Sequence, residues 1–232
     1  MIHGIINVYK EKGFTSHDVV AKLRGIVGQK KIGHTGTLDP DATGVLPVCL
    51  GKATKLCDLL TDKNKTYEAV LLLGKTTDTQ DITGEVLEEK STEALTEEKV
   101  REAIEGFIGD YEQIPPMYSA LKVNGKKLYE LAREGKVIER KARPVKILDI
   151  QILEIDLPKV RMEVSCSKGT YIRTLCHDIG EKLGCGGCME SLIRTRVSTF
   201  RIEDAKMLDE IESLQSFWYR SMRCSRLIRR SR

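Results

Sequence analysis

The sequence predicts an α+β fold, a mixed and largely antiparallel sheet flanked by helices. Apolar runs of strand character recur near residues 2–9, 45–50, 66–73, 145–155, 160–166 and 194–202. Segments with helical spacing of apolar residues are interposed among these strand pairs. No internal repeat is present, which sets repeat arrays aside.

Residues 2–9 alternate as a strand. Ser16 is the expected cap of a helix that places Val19, Val20, Leu23, Ile26 and Val27 on one face. After a glycine-rich loop, 45–50 reads as a buried strand, 53–60 as a short helix and 66–73 as a strand with Tyr67 near its start. Residues 76–84 are turn chemistry, where Asp78 and Asp81 are expected as loop caps, not metal ligands. Thr96 opens a helix with Glu97 and Glu98 in its first turn, and Val100, Ile104, Phe107 and Ile108 are expected to face inward.

The run from Gln113 through Pro115-Pro116 to Ala120 cannot be regular structure. A short basic helix at 126–133 follows, with only Leu128, Leu131 and Ala132 as apolar stripe, so it reads as an arm resting on the body. Strands at 145–155 and 160–166 come next. A glycine turn at 169 then leads into a helix with Ile172, Leu175, Ile179 and Leu183 in phase. A last strand at 194–202 and a helix at 204–214 complete the ordinary sequence.

With 232 residues, the chain can build one large domain or two small ones with a real core. Charged residues make up 31%, no apolar stretch reaches the length of a membrane span, and no secretory signal is read at the start, so a cytoplasmic protein is expected. Seven cysteines in irregular spacing then read as free, partly buried thiols. Cys185-Gly186-Gly187-Cys188 resembles half a zinc site that Cys176 and His177 could complete. A second close pair is missing, so no metal is expected.

Net charge is +4, but the final 17 residues hold six arginines and no acid, so the remainder is slightly acidic. Within it, residues 122–146 carry nine basic and three acidic side chains. Lys10, Lys12, Lys22, Arg24, Lys30 and Lys31 form a second basic cluster. Both clusters suit a polyanion such as nucleic acid.

The most informative stretch is Gly33-His34-Thr35-Gly36-Thr37-Leu38-Asp39-Pro40-Asp41-Ala42-Thr43-Gly44-Val45-Leu46-Pro47-Val48. Pro40 keeps Asp39 out of the helical region and the glycines permit a tight path, so one carboxylate is presented at a fixed angle. A Walker phosphate loop does not fit these residues. Nor does an Asp-Lys-Thr-Gly-Thr phosphorylation loop, since Gly33 stands where its Asp would be.

Taken with Lys65-Thr66-Tyr67, the 114–133 arm and Ser167-Lys168-Gly169-Thr170-Tyr171-Ile172-Arg173-Thr174, this stretch closely resembles the tRNA pseudouridine synthase B family, from about Ile5 to about Leu214. The resemblance implies the pseudouridine synthase fold, with residues 1–214 as catalytic domain and 113–144 as an inserted basic RNA-binding arm. It implies isomerisation of the T-loop uridine of tRNA (position 55) without metal or cofactor, by a monomer. Asp39 matches the family's essential aspartate, Arg173 the arginine that pairs with it, and Tyr67 the tyrosine against the target base. Tyr171 and Leu192 match positions lining the uridine pocket, and His34 a contact to the RNA loop. Lys10, Lys122, Lys126, Lys127, Arg133 and Arg143 are the expected RNA-binding cations.

Two alternatives stay open on these residues: a synthase directed to ribosomal RNA or guided by a small RNA, and a tRNA-binding or folding module with incidental catalysis. The family commonly continues into a small RNA-binding domain of the PUA type, which is not expected within these 232 residues. Residues 215–232 instead form an Arg-rich tail. It reads equally as a phosphate grip anchored by Trp218 or as an unstructured terminus.

Overall fold

A computed structural model describes residues 1–214; the Arg-rich tail, with Trp218 and Cys224, lies outside the described residues. In chain order the elements begin with β1 (Gly4–Lys10), α1 (Ser16–Val27), β2 (Ile32–His34) and β3 (Thr43–Leu50). A 3-10 turn (Gly51–Leu56), α2 (Cys57–Thr61), β4 (Lys65–Leu73), β5 (Lys75–Thr77), β6 (Val86–Glu89), α3 (Glu97–Glu105) and β7 (Gly109–Gln113) follow. Then come β8 (Lys122–Val123), β9 (Lys126–Lys127), α4 (Leu128–Arg133), β10 (Arg143–Asp156), β11 (Lys159–Cys166), α5 (Ile172–Lys182), β12 (Gly187–Val197) and β13 (Phe200–Arg201). The chain divides into two compact units, 1–63 with 193 onward, and 64–192.

In the first unit β3 is the hub. It pairs antiparallel with β1 from Gly4↔Leu50 to Lys10↔Gly44, antiparallel with β2, and parallel with the end of β12 at Ile193↔Thr43 and Arg194↔Gly44. That parallel pair makes an otherwise largely antiparallel arrangement mixed, as expected. Val19, Val20, Leu23 and Val27 of α1 pack with Val8, Leu46, Val48 and Leu50, and Leu208 and Ile211 of the helical run 208–214 close the cluster.

The cap of α1 is Thr15, not Ser16. Thr15 Oγ1 accepts from Asp18 N at 3.1 Å while Asp18 accepts from Thr15 N at 2.8 Å, a reciprocal capping box. Ser16 is buried and has another task, described below. The helix expected at 53–60 is split into the 3-10 turn and the five-residue α2.

In the second unit β4, β11, β10 and β7 pair antiparallel in that order. Burial alternates strictly along β4, so Lys65, Tyr67, Ala69, Leu71 and Leu73 share its buried face. α3 packs on β10 and α5 on β4. Ile108, expected inward, is 44% exposed, because α3 ends at Glu105 before another turn could carry it to the core face.

The arm has a core of its own: Met117, Leu128 and Leu131 are buried, with Tyr118, Leu121, Val123, Ala132 and Ile138 packed around them. Its β8–β9 hairpin turns on Asn124 and Gly125, both at positive φ, the pairing a two-residue turn demands. The Cys185–Cys188 glycines serve packing. A Cβ on Gly180 of α5 would lie 2.2 Å from Gly186 C, so helix and strand meet backbone to backbone. Burial holds the Cys188 thiol up at about 11.

Candidate active site

The Asp39 loop is held along its length by groups of the first unit. β2 ends at His34, and Thr35 N donates to Pro47 O at 3.1 Å, starting the loop from β3. Leu38, buried, donates its N–H to Ser16 Oγ at 2.9 Å, so the first residue of α1 fixes the position before Asp39. Ala42 N closes a turn onto Asp39 O at 3.1 Å. Asp39 itself is half-buried.

Two buried cations underlie this loop. The Lys10 ammonium donates to Glu11 O (3.1 Å), Phe14 O (2.6 Å) and Pro40 O (3.1 Å). Burial drives its pKa down to about 8, against the raising influence of Asp39 and Asp41. Arg194 donates from Nε to Val45 O at 2.7 Å and from Nη1 to Thr37 O at 3.3 Å. A Cβ on Gly44 would fall 2.3 Å from Arg194 O, so glycine is required where β3 meets β12. Lys10 was expected among the RNA-binding cations. Its side chain is fully buried on backbone carbonyls, so it acts by holding the loop.

His34 accepts from Gly36 N at 3.4 Å through Nδ1, and its ring meets the His17 ring edge-on at 6.3 Å between centroids. Burial lowers its pKa most, with nearby His17 and Arg194 acting in the same direction. The imidazole is therefore neutral near pH 7, able to stack or accept a hydrogen bond.

In the second unit, Tyr67 lies on the buried face of β4 opposite Val164 and is 7% exposed. Tyr171 immediately precedes α5, and the buried Gln113 amide grips its backbone from both sides. Tyr171 N donates to Oε1 at 2.8 Å, and Nε2 donates to Tyr171 O at 3.0 Å. The Arg173 guanidinium is buried; it donates to Tyr118 O at 2.8 Å and Thr79 O at 3.2 Å, and stands 3.4 Å from an Asp81 carboxylate oxygen.

Asp81 accepts from the Thr79 and Thr83 hydroxyls and from Thr83 N, and Asp78 from Glu85 N, so both are loop caps as expected. Asp81 additionally helps orient Arg173. Sequence reasoning missed this, and it missed Gln113 and Arg194. Leu192, on β12, is half-buried.

The expected RNA-binding cations of the arm are at its surface or edge. Lys122, Lys126, Arg133 and Arg143 are exposed, and the Lys127 ammonium and Arg133 guanidinium each lie 5.3 Å from the Tyr129 ring. Among the described residues, no helix is long and apolar enough to cross a membrane.

Two family models match this chain one after the other, a different division from that of the two compact units. Residues 24–172 match the TruB family pseudouridylate synthase (N terminal domain), and residues 173–230 the tRNA pseudouridylate synthase B C-terminal domain. The second match runs past Leu214, where the resemblance was expected to end, into the Arg-rich segment. The chain is 68% identical over 219 residues to tRNA pseudouridine synthase B of Lachnoclostridium phytofermentans, covering 91% of this chain and 71% of that protein. It is 54% identical over 215 residues to tRNA pseudouridine synthase B of Alkaliphilus oremlandii, covering 93% and 72%. A chain from a solved Cbf5-Nop10-Gar1 complex is similar with a TM-score of 0.74 at 35% identity over 93% of this chain, which spans 55% of that chain's length.

Proposed function

The chain belongs to the TruB family of pseudouridylate synthases, and we propose that it converts the T-loop uridine of tRNA, position 55, to pseudouridine, acting as a cytoplasmic monomer. The observation that carries this reading is the Asp39 loop: a half-buried carboxylate on a segment held by Ser16, Lys10 and Arg194. A nucleophile so mounted does not have to be organised during the reaction.

The isomerisation breaks the C1′–N1 bond, rotates the base and joins C5 to C1′, and the C5 hydrogen leaves as a proton. Electrons balance within the uridine, so the reaction calls for no redox partner. In this reading the Asp39 carboxylate adds to the base or captures C1′, as carboxylates do at retaining glycosidase sites. Tyr67 stacks on the everted base and relays the C5 proton, and Arg173 is the arginine that the family resemblance pairs with Asp39. Tyr171 and Leu192 line the base, and His34 meets the RNA loop. Everting a nucleotide costs a few kcal/mol; phosphate contacts from Lys122, Lys126, Lys127, Arg133 and Arg143 offset that cost.

Release of tritium from uridine labelled at C5 tests the substrate. A T-stem-loop transcript should release it and a ribosomal RNA fragment should not. Release from ribosomal RNA alone would move the assignment to a synthase of that class or a guided one, the reading toward which similarity to the Cbf5 complex leans. Absence of release from any RNA would leave an RNA-binding module.

A further inference from the structure

Beside the Asp39 loop, the first unit has a concavity of about 430 Å³, walled by α1, β2, the 28–31 connection and the start of α2. Its lining includes Arg24, Lys30, Lys31, His17 and His34, and no carboxylate. The remaining wall is mostly apolar or small. Gly33 is closed in by Cys57, whose Sγ would lie 3.2 Å from a Cβ there. The Arg24 Nε donates to Lys30 O at 3.2 Å, which ties the guanidinium to the connection carrying both lysines.

Cations that line one hollow without an acid among them repel one another, an arrangement that a bound anion relieves. The hollow is larger than a phosphate group needs and admits the sugars on either side of one. His34 belongs to this wall and to the start of the Asp39 loop, so whatever occupies the hollow lies next to the segment that presents the nucleophile.

We propose that this concavity is a phosphodiester subsite for the RNA substrate, seating the backbone on Arg24, Lys30 and Lys31 while His34 meets the adjoining nucleotide. The inference rests on the reading of the chain as an RNA-acting synthase and adds a contact apart from the arm. Phosphate recognised there is part of an RNA chain, and binding is independent of base identity.

The test compares full-length R24Q/K31Q and K30Q/K31Q with the charge-matched control K99Q/K159Q. The K30Q/K31Q variant keeps the Arg24 bond to the backbone, so a folding defect in the first variant does not hide the result. Binding of a T-stem-loop transcript is measured from 50 to 200 mM salt. Each pocket variant should lower the slope of log K against log salt by about 1.4 to 1.8, two phosphate contacts, and weaken binding about tenfold at the low-salt end. The control should lose markedly less of both.

Slopes equal to the control's would overturn the subsite while leaving the proposed function intact, since wild type would still release tritium. Tight, saturable binding of inorganic phosphate alone would overturn the RNA assignment in favour of a free-anion site. A wild type that neither binds nor turns over the transcript would overturn both readings.

Discussion

A buried ammonium must find acceptors, and Lys10 finds three: two on the turn after β1 and one at Pro40, next to the nucleophile. Replacing it with methionine leaves those carbonyls without their donor, a loss of about 1–3 kcal/mol. Lys10→Met should therefore melt several degrees lower and turn over uridine more slowly; wild-type melting and turnover would contradict the role. The pH dependence has a definite sign. The folded chain gives up the Lys10 proton near pH 8, whereas the unfolded chain keeps it to about 10.5. Between those values the unfolded state holds more protons, so the Lys10 contribution to stability rises with pH, and Lys10→Met should lack that rise in a melting series. Asp39 itself was legible in the sequence because Pro40 follows it and three glycines flank it within one stretch. The burial of Lys10 was not, because a lysine at the end of a strand carries no local mark of what covers it.

At the scale of elements, long periodic segments were legible and short ones were not. β4 was expected as a strand over 66–73 from its apolar, β-prone residues, and it forms from Lys65 to Leu73. β2 is three residues long and has no period to read, yet it delivers His34. The arm is instructive in both directions: its basic helix was expected, but not its separate core around Leu128 nor its Asn124-Gly125 hairpin. A small cluster of this kind supports local opening at a lower free energy than global unfolding. Protease cleavage within 126–143 should accordingly slow when tRNA is added. Identical cleavage with and without tRNA would contradict a role for the arm in gripping RNA.

At the scale of the whole molecule, the α+β class followed from strand pairs with interposed helices and the largely antiparallel sheet from the family resemblance, whereas pairings distant in sequence were not legible. The parallel contact of β12 with β3 joins residues some 150 positions apart, and only the need for glycine at 44 hints at it. Arg194 gains its function from that contact, which is why no local pattern announces it. The central claim is that a carboxylate on a prebuilt loop does the chemistry, so the decisive comparison keeps the loop and removes the charge. Asp39→Asn should melt like wild type, bind the T-stem-loop transcript with the same affinity, and release no tritium from C5-labelled uridine in a single-turnover assay. Tritium release by Asp39→Asn at a rate within tenfold of wild type would contradict the account.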